Sequence, residues 1–170
     1  MPEAVSWIKA TLPILKDGGF SVTSDHTCTY NCIAWAAGDT EKWWWPSPDY
    51  YWPNGAPLEE TIDAFILAFQ TQGYQPCDDS SFETGYEKVA IYAIAGRPKH
   101  MARQLISGAW SSKLGRAWDI EHFRMDAVEC NEYWPWRQIP TKAAEVGYLR
   151  LRFTIHDLRT NVWNNRLGQS

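Results

Sequence analysis

The stretch from Lys88 to Lys113 constrains the fold of this chain more than any other. Lys88-Val89-Ala90-Ile91-Tyr92-Ala93-Ile94 is rich in β-forming side chains, and Gly96-Arg97-Pro98 punctuates it. His100-Met101-Ala102-Arg103-Gln104-Leu105-Ile106 follows at once, and Ser107-Gly108 then turns the chain into Trp110–Lys113. Such runs between Gly and Pro read as strands. Connections this short join antiparallel neighbours, because a parallel return needs a dozen or more residues. A meander of strands is therefore predicted, and Gly147–Phe153, which alternates apolar and polar, adds a last strand.

Helical signals lie mostly earlier. Residues 1–20 read as a short helix followed by a turn at Gly18-Gly19, and residues 21–31 as polar and turn-like. Cys32-Ile33-Ala34-Trp35-Ala36-Ala37 is a small-residue helical turn with Gly38 as its stop. Pro57 is expected to open a longer helix, with Glu59 and Glu60 where the dipole favours negative charge. Leu58, Ile62, Phe65, Ile66 and Phe69 form its apolar face, and Gly73 ends it. Residues 119–129 are also compatible with a helix. Helices first and strands after point to an α+β fold with an antiparallel sheet. The 170 residues suit one domain, expected over residues 1–160 with a frayed tail at 161–170.

Residues 41–57 carry Trp43, Trp44, Trp45, Tyr50, Tyr51 and Trp52, interrupted by Pro46, Pro48 and Pro53. Proline at this density stops both a helix and a central strand, so the segment is read as an ordered aromatic loop. It has two readings: a hydrophobic cluster that pins a long loop, or a wall beside a site. Trp134-Pro135-Trp136 reads as a second aromatic loop.

The net charge of −4, with no run of Lys or Arg, argues against binding nucleic acid through phosphates. Arg103, Lys113 and Arg116 read as the exposed face of a hairpin. No stretch approaches the roughly 18 apolar residues of a membrane span, and residues 7–16 have no signal-peptide character. A cytoplasmic protein with reduced thiols is expected. Cys28, Cys32, Cys77 and Cys130 match no zinc template, so neither metal nor cofactor is expected. The partner class is a peptide or protein, either as substrate or as ligand, and the oligomeric state stays open.

Cys32 stands where a helix starts, and a helix N-terminus and a nearby imidazolium both lower a thiol pKa. His100, at the start of a later strand, is the candidate base. With these residues Tyr30-Asn31-Cys32 resembles the aromatic-Asp-Cys signature of NlpC/P60-like hydrolases, which have a papain-like α+β fold. That resemblance implies a cysteine-bearing helix packed on an antiparallel sheet, with Cys32 as nucleophile, His100 as base and Ser112 as orienting residue. Asn31 stands where those enzymes usually have Asp, and Ile33-Ala34 where they have Ser-Gly. From Tyr30 to about His122 the chain also resembles a family of uncharacterised bacterial domains, through the blocks YNCIAWAAGD, EKVAIYA, HMARQL, SKLG and DIEH.

The third member is open between Ser112, Gln104, Asp119 and His122. Gln104 shares the face of His100 whatever the turn. Ser112 joins that face only if the loop around Ser107-Gly108 has an odd number of residues. The backbone N–H of Cys32, with Tyr30 OH or the Asn31 amide, would form the oxyanion hole. The expected activity is hydrolysis of an amide or ester (peptidase, amidase or deamidase). The alternative is a catalytically inactive module that binds through the loop bearing Trp43, Trp44 and Trp45.

Overall fold

The computed structural model describes residues 2–128 and 145–152. The Trp134-Pro135-Trp136 loop, Cys130, His156 and the tail expected at 161–170 lie outside the described residues. Three helices are described, α1 (Pro2–Thr11), α2 (Cys32–Ala36) and α3 (Ile62–Gln70), with 3-10 turns at Pro13–Leu15 and Met125–Val128. Seven strands accompany them: β1 (Phe20–Val22), β2 (Gln75–Cys77), β3 (Tyr86–Ile94), β4 (Arg97–Gln104), β5 (Trp110–Lys113), β6 (Asp119–His122) and β7 (Glu145–Arg152). They make one sheet in the order β1-β6-β5-β4-β3-β7-β2. Every pairing is antiparallel.

The papain-like α+β expectation is overturned here. The molecule is dominated by its seven-stranded sheet, and its helices are only 10, 5 and 9 residues long. Two expected helical signals fail for local reasons. Pro57 does not open α3; Thr61 caps it instead, its side chain accepting from Ala64 N at 3.2 Å, and Leu58 stays 56% exposed. The segment from residue 119 is strand β6 and then a 3-10 turn, because Asp119–His122 finds a complete ladder on β5.

Two turns set the register. β3 and β4 are joined by Ala95-Gly96, with φ of 50° and 73°. A two-residue hairpin of type I′ needs positive φ at both places. Between β4 and β5 the pairs Arg103↔Ser111 and Gln104↔Trp110 close on Leu105 N donating to Ala109 O at 2.8 Å. That leaves the three-residue loop Ile106-Ser107-Gly108, with Gly108 at φ 85°.

Alternation along the strands divides the interior in two. Val89, Ile91 and Met101 face one side, where they meet Ile33 and Ala34 of α2, Phe65 and Phe69 of α3, and Trp44 and Trp52 of the aromatic loop. Ala90, Tyr92, Ala102, Trp110 and Ile120 face the other side, under Ile8, Leu12 and Leu15. Both sides are covered, which is why β3 is apolar without a break from Val89 to Ile94. Ala34 and Ala36, both fully buried, let α2 lie close on the sheet. A five-residue helix cannot persist alone, so this packing is what holds it.

Phe69 tests the first layer. It is fully buried between Trp44 (centroids 6.2 Å) and Tyr74 (5.3 Å). Phe69→Ala should destabilise the domain by about 3–5 kcal/mol in urea unfolding. A loss below about 1 kcal/mol would contradict this packing.

Candidate functional site

The N-terminus of α2 is built on Asn31. Its backbone is extended (φ −113°, ψ −177°), and its Oδ1 accepts from Ala34 N at 3.0 Å as the helix cap. The same oxygen accepts from Trp44 N at 3.4 Å, and Nδ2 donates to Trp44 O at 2.6 Å. A cap of this kind contributes about 1 kcal/mol. Here it also fastens the aromatic loop to the helix. The expected oxyanion role for the Asn31 amide gives way to this structural one.

Cys32 is the first residue of α2 and is half-buried. Burial pushes its thiol up to about 11, although the backbone N–H groups of Met101, Cys32 and Ile33 and the Lys113 cation pull the other way. At neutral pH it is therefore a protonated thiol.

His100 does not meet it. On β4, Met101 packs on the α2 side, whereas His100 pairs with Tyr92 and shares the opposite side with Ala102. Its ring lies 5.6 Å from that of Tyr92, it is 5% exposed, and its Nε2 has no hydrogen-bond partner among the described residues. Burial, with a smaller contribution from His122, lowers its pKa to about 3. The sheet thus separates the expected nucleophile from the expected base, and the Cys32–His100–Ser112 triad is not assembled.

The odd-numbered loop does put Ser112 on the His100 side, but its hydroxyl bonds a different histidine. Ser112 Oγ lies 2.9 Å from His122 Nε2, and His122 Nδ1 lies 2.8 Å from Arg124 O. A carbonyl only accepts, so Nδ1 carries the proton and Nε2 accepts from the serine. Ser112 and His122 are both fully buried. Burial lowers the His122 pKa to about 4 against the opposing pull of the Arg124 carbonyl and Asp126. Gln104 also has a structural partner: its Nε2 donates to Ser80 O at 3.1 Å and pins the loop before β3.

The polar groups that share the cysteine's side were read differently from sequence. Tyr30 OH donates to Asp119 Oδ2 at 2.6 Å, and its ring stacks on Trp35 at 5.8 Å. Burial and that bond both raise the Tyr30 pKa above its ordinary value. Lys113 is fully buried; Nζ donates to Thr27 O at 2.9 Å and to Ala117 O, and sits 3.8 Å from Asp119 Oδ1 and 5.1 Å from the Tyr30 ring centroid. Burial lowers the Lys113 pKa and raises that of Asp119. Arg103, also fully buried, lies 4.1 Å over Trp35, whose Nε1 donates to Ser111 Oγ at 3.1 Å. Arg103 and Lys113 are therefore not the exposed hairpin face expected of them. Their odd numbering, shared with Met101, was the signal.

The aromatic loop has an inner and an outer side. Trp44 is buried, with Nε1 donating to Asp39 Oδ2 at 2.8 Å. Trp52 is buried against Phe65 at 5.0 Å and donates to Pro57 O at 2.9 Å, while Trp45 meets Phe65 edge-on at 6.2 Å. A parallel bridge, Trp44↔Tyr51, ties the two limbs. On the outer side Trp43 is half-buried, and Tyr50 and Tyr51 are 46% and 38% exposed. The Trp43 and Tyr50 centroids are 6.4 Å apart. Lys42 Nζ lies 4.5 Å over Tyr51, and the Arg116 guanidinium 5.3 Å over Trp43. Among the described residues no group of three His, Cys, Asp or Glu is placed to hold a metal, and no helix is long and apolar enough to cross a membrane.

Two measurements check this geometry. Alkylation of Cys32, followed with the other three cysteines changed to serine, should run about a hundredfold or more slower than a free thiol at pH 7. His100→Ala should leave it unmoved. A depressed thiol pKa that rises in the variant would restore the catalytic pair. Stability should fall on acidification. Unfolded histidine takes a proton near pH 6.5, whereas folded His100 and His122 do so only at about 3 and 4. Between those limits the unfolded chain binds more protons, and stability drops by about 1.4 kcal/mol per pH unit for each histidine. Urea midpoints from pH 7 to 4.5 should show this, with a shallower slope in His100→Gln. Identical slopes would refute the buried neutral state of His100.

No curated protein and no solved structure matches the chain. A family model does match residues 21–139, spanning α2, the aromatic loop and the sheet through β6. With that match over most of its length, the chain belongs to the family described as Domain of unknown function (DUF7689).

Proposed function

We propose that the domain is a binding module that captures a partner polypeptide on the outer side of its aromatic loop. The carrying observation is the loop's division of labour. Trp44, Trp45 and Trp52 lock it to α2 and α3 from within, and Trp43, Tyr50 and Tyr51 stand outside. Rigid aromatic anchors bind with little loss of conformational entropy, and Trp, Tyr and Arg are the residues on which interface energy concentrates. Lys42 and Arg116 lie over two of these rings. For the hydrolase expectation, His100 stands on the other side of the sheet from Cys32.

A second reading keeps the thiol. The backbone amides of Met101, Cys32 and Ile33 pull the Cys32 pKa down against its burial. They would stabilise a thiolate formed against the burial cost, and an amide or ester hydrolase would then depend on Cys32 without His100.

Selection of a displayed random-peptide library on the full chain separates the two. Peptides selected on wild type should lose about tenfold or more in affinity for Trp43→Ala and Tyr50→Ala. They should keep it for Cys32→Ala. Binders indifferent to Trp43 and Tyr50 would refute the binding reading, and turnover of amide or ester substrates abolished by Cys32→Ala would establish the other.

A further inference from the structure

We infer that Asn31 is the positioning residue of the outer aromatic surface, and that its amide, rather than its size, sets where Trp43 and Tyr51 stand. This rests on the binding-module reading for what the surface captures.

Asn31 is only 4% exposed, so it acts on the surface through Trp44 and not by touching the partner. Its grip is two-sided: Nδ2 donates to Trp44 O, and Oδ1 accepts from Trp44 N. From Trp44 the hold passes along the backbone to both limbs of the loop. Tyr51 N donates to Trp43 O at 3.1 Å, and Trp45 N donates to Tyr51 O at 3.1 Å. Trp43 and Tyr51 are thus fixed to each other beside the gripped residue. Beyond the other end of α2, Asp39 Oδ2 accepts from the Trp44 indole at 2.8 Å. One tryptophan is held by residues flanking both ends of one short helix, by its main chain at the first and by its ring at the second. A surface fixed in this way before binding has less ordering entropy to lose.

The position demands an amide. The N–H groups of Ala34 and Trp44 point at one terminal atom of the side chain, and the Trp44 carbonyl faces the other. The side chain must accept at the first place and donate at the second. Serine would cap the helix almost as well, but its single hydroxyl cannot serve both places. An ionised aspartate would cap it too, yet it would set a carboxylate oxygen against the Trp44 carbonyl. In Asn31→Asp the carboxyl can donate to Trp44 O only when protonated. Burial and the facing carbonyl both favour that form, so its pKa stands above the ordinary value of about 4. The donation is present below the raised pKa and lost as pH rises through it. Of the titratable groups around the position, Cys32 is a neutral thiol and the Tyr30 hydroxyl is bound to Asp119 beside Lys113. Asp39, the acid on the same tryptophan, pushes in the same direction as burial.

Asn31→Asp and Asn31→Ser in the full chain test this, each read beside wild type at the same pH. Without ligand at pH 7, hydrogen exchange at the Trp45 and Tyr51 amides should run about tenfold or more faster in both variants. The Trp35 amide, which donates to Asn31 O within the capped helix, should keep its protection. At pH 5 the loop amides should return to the wild-type rate in Asn31→Asp and stay fast in Asn31→Ser. Comparing Asn31→Asp with itself at two pH values keeps the test sound should the serine variant fold poorly. Displayed-library peptides that bind wild type through Trp43 should follow the same pattern. They should lose about tenfold in affinity for both variants at pH 7 and recover it at pH 5 for Asn31→Asp alone. Unchanged exchange and affinity in Asn31→Asp at pH 7, or a loss that pH 5 does not reverse, overturns the inference and leaves the binding module standing. Loop amides freed and rescued as expected, in a chain for which no binder depends on Trp43, refute the binding module and leave Asn31 as the residue that positions the loop.

Discussion

Neighbouring residues on a strand point in opposite directions, and in this protein both directions lead into packed interior. Nearly every feature of the molecule depends on that constraint. From His100 onward, and on β3 from Val89 to Tyr92, residues of odd number look toward α2, α3 and the aromatic loop, and those of even number toward α1 and the Pro13–Leu15 turn; a bulge reverses the order at Pro98. Met101 and His100 are one bond apart in sequence and a sheet apart in space. The amide of the first is among the groups that oppose burial at the Cys32 thiol, while the imidazole expected to activate that thiol belongs to the second.

Unusually polar material is enclosed on the α2 side. Arg103 lies against Trp35, Lys113 against Tyr30 and Asp119, and Tyr74 OH donates to the buried Glu87. Aromatic faces and backbone carbonyls take the place of water around these charges. Removing one partner from such a set costs more than forming it contributed, because the remaining charge is left buried alone. The group thus fixes how α2, the polar segment before it and the β5–β6 turn sit together.

The central meander was legible because short turns and β-rich runs are local signals. β3, β5 and β7 lie close to where alternation and punctuation put them, whereas β4 begins at Arg97, inside the turn expected at Gly96-Arg97-Pro98, and stops at Gln104 short of Ile106. β1, β2 and β6 were not legible. The first two are three residues each, and all three owe their state to a partner strand rather than to their own propensity. At the site, Cys32 at a helix start and Asn31 beside it were readable from residue type. Their meeting with His100 was not, since it hinged on the number of residues in a loop and on the side of the sheet that α2 occupies. Trp43, Trp44 and Trp45 look alike in sequence, yet only the burial of Trp44 reveals that Asn31 holds it.

The strand order carries a consequence for how the chain folds. β3 to β6 follow one another through short turns, so their ladder closes with little loop entropy. β1 joins β6 across about a hundred residues, with Phe20 opposite His122, and β2 must wait for β7. Loop closure on that scale is unfavourable until the central strands exist. The amino-terminal helix and its strand are accordingly a late cover over an existing meander.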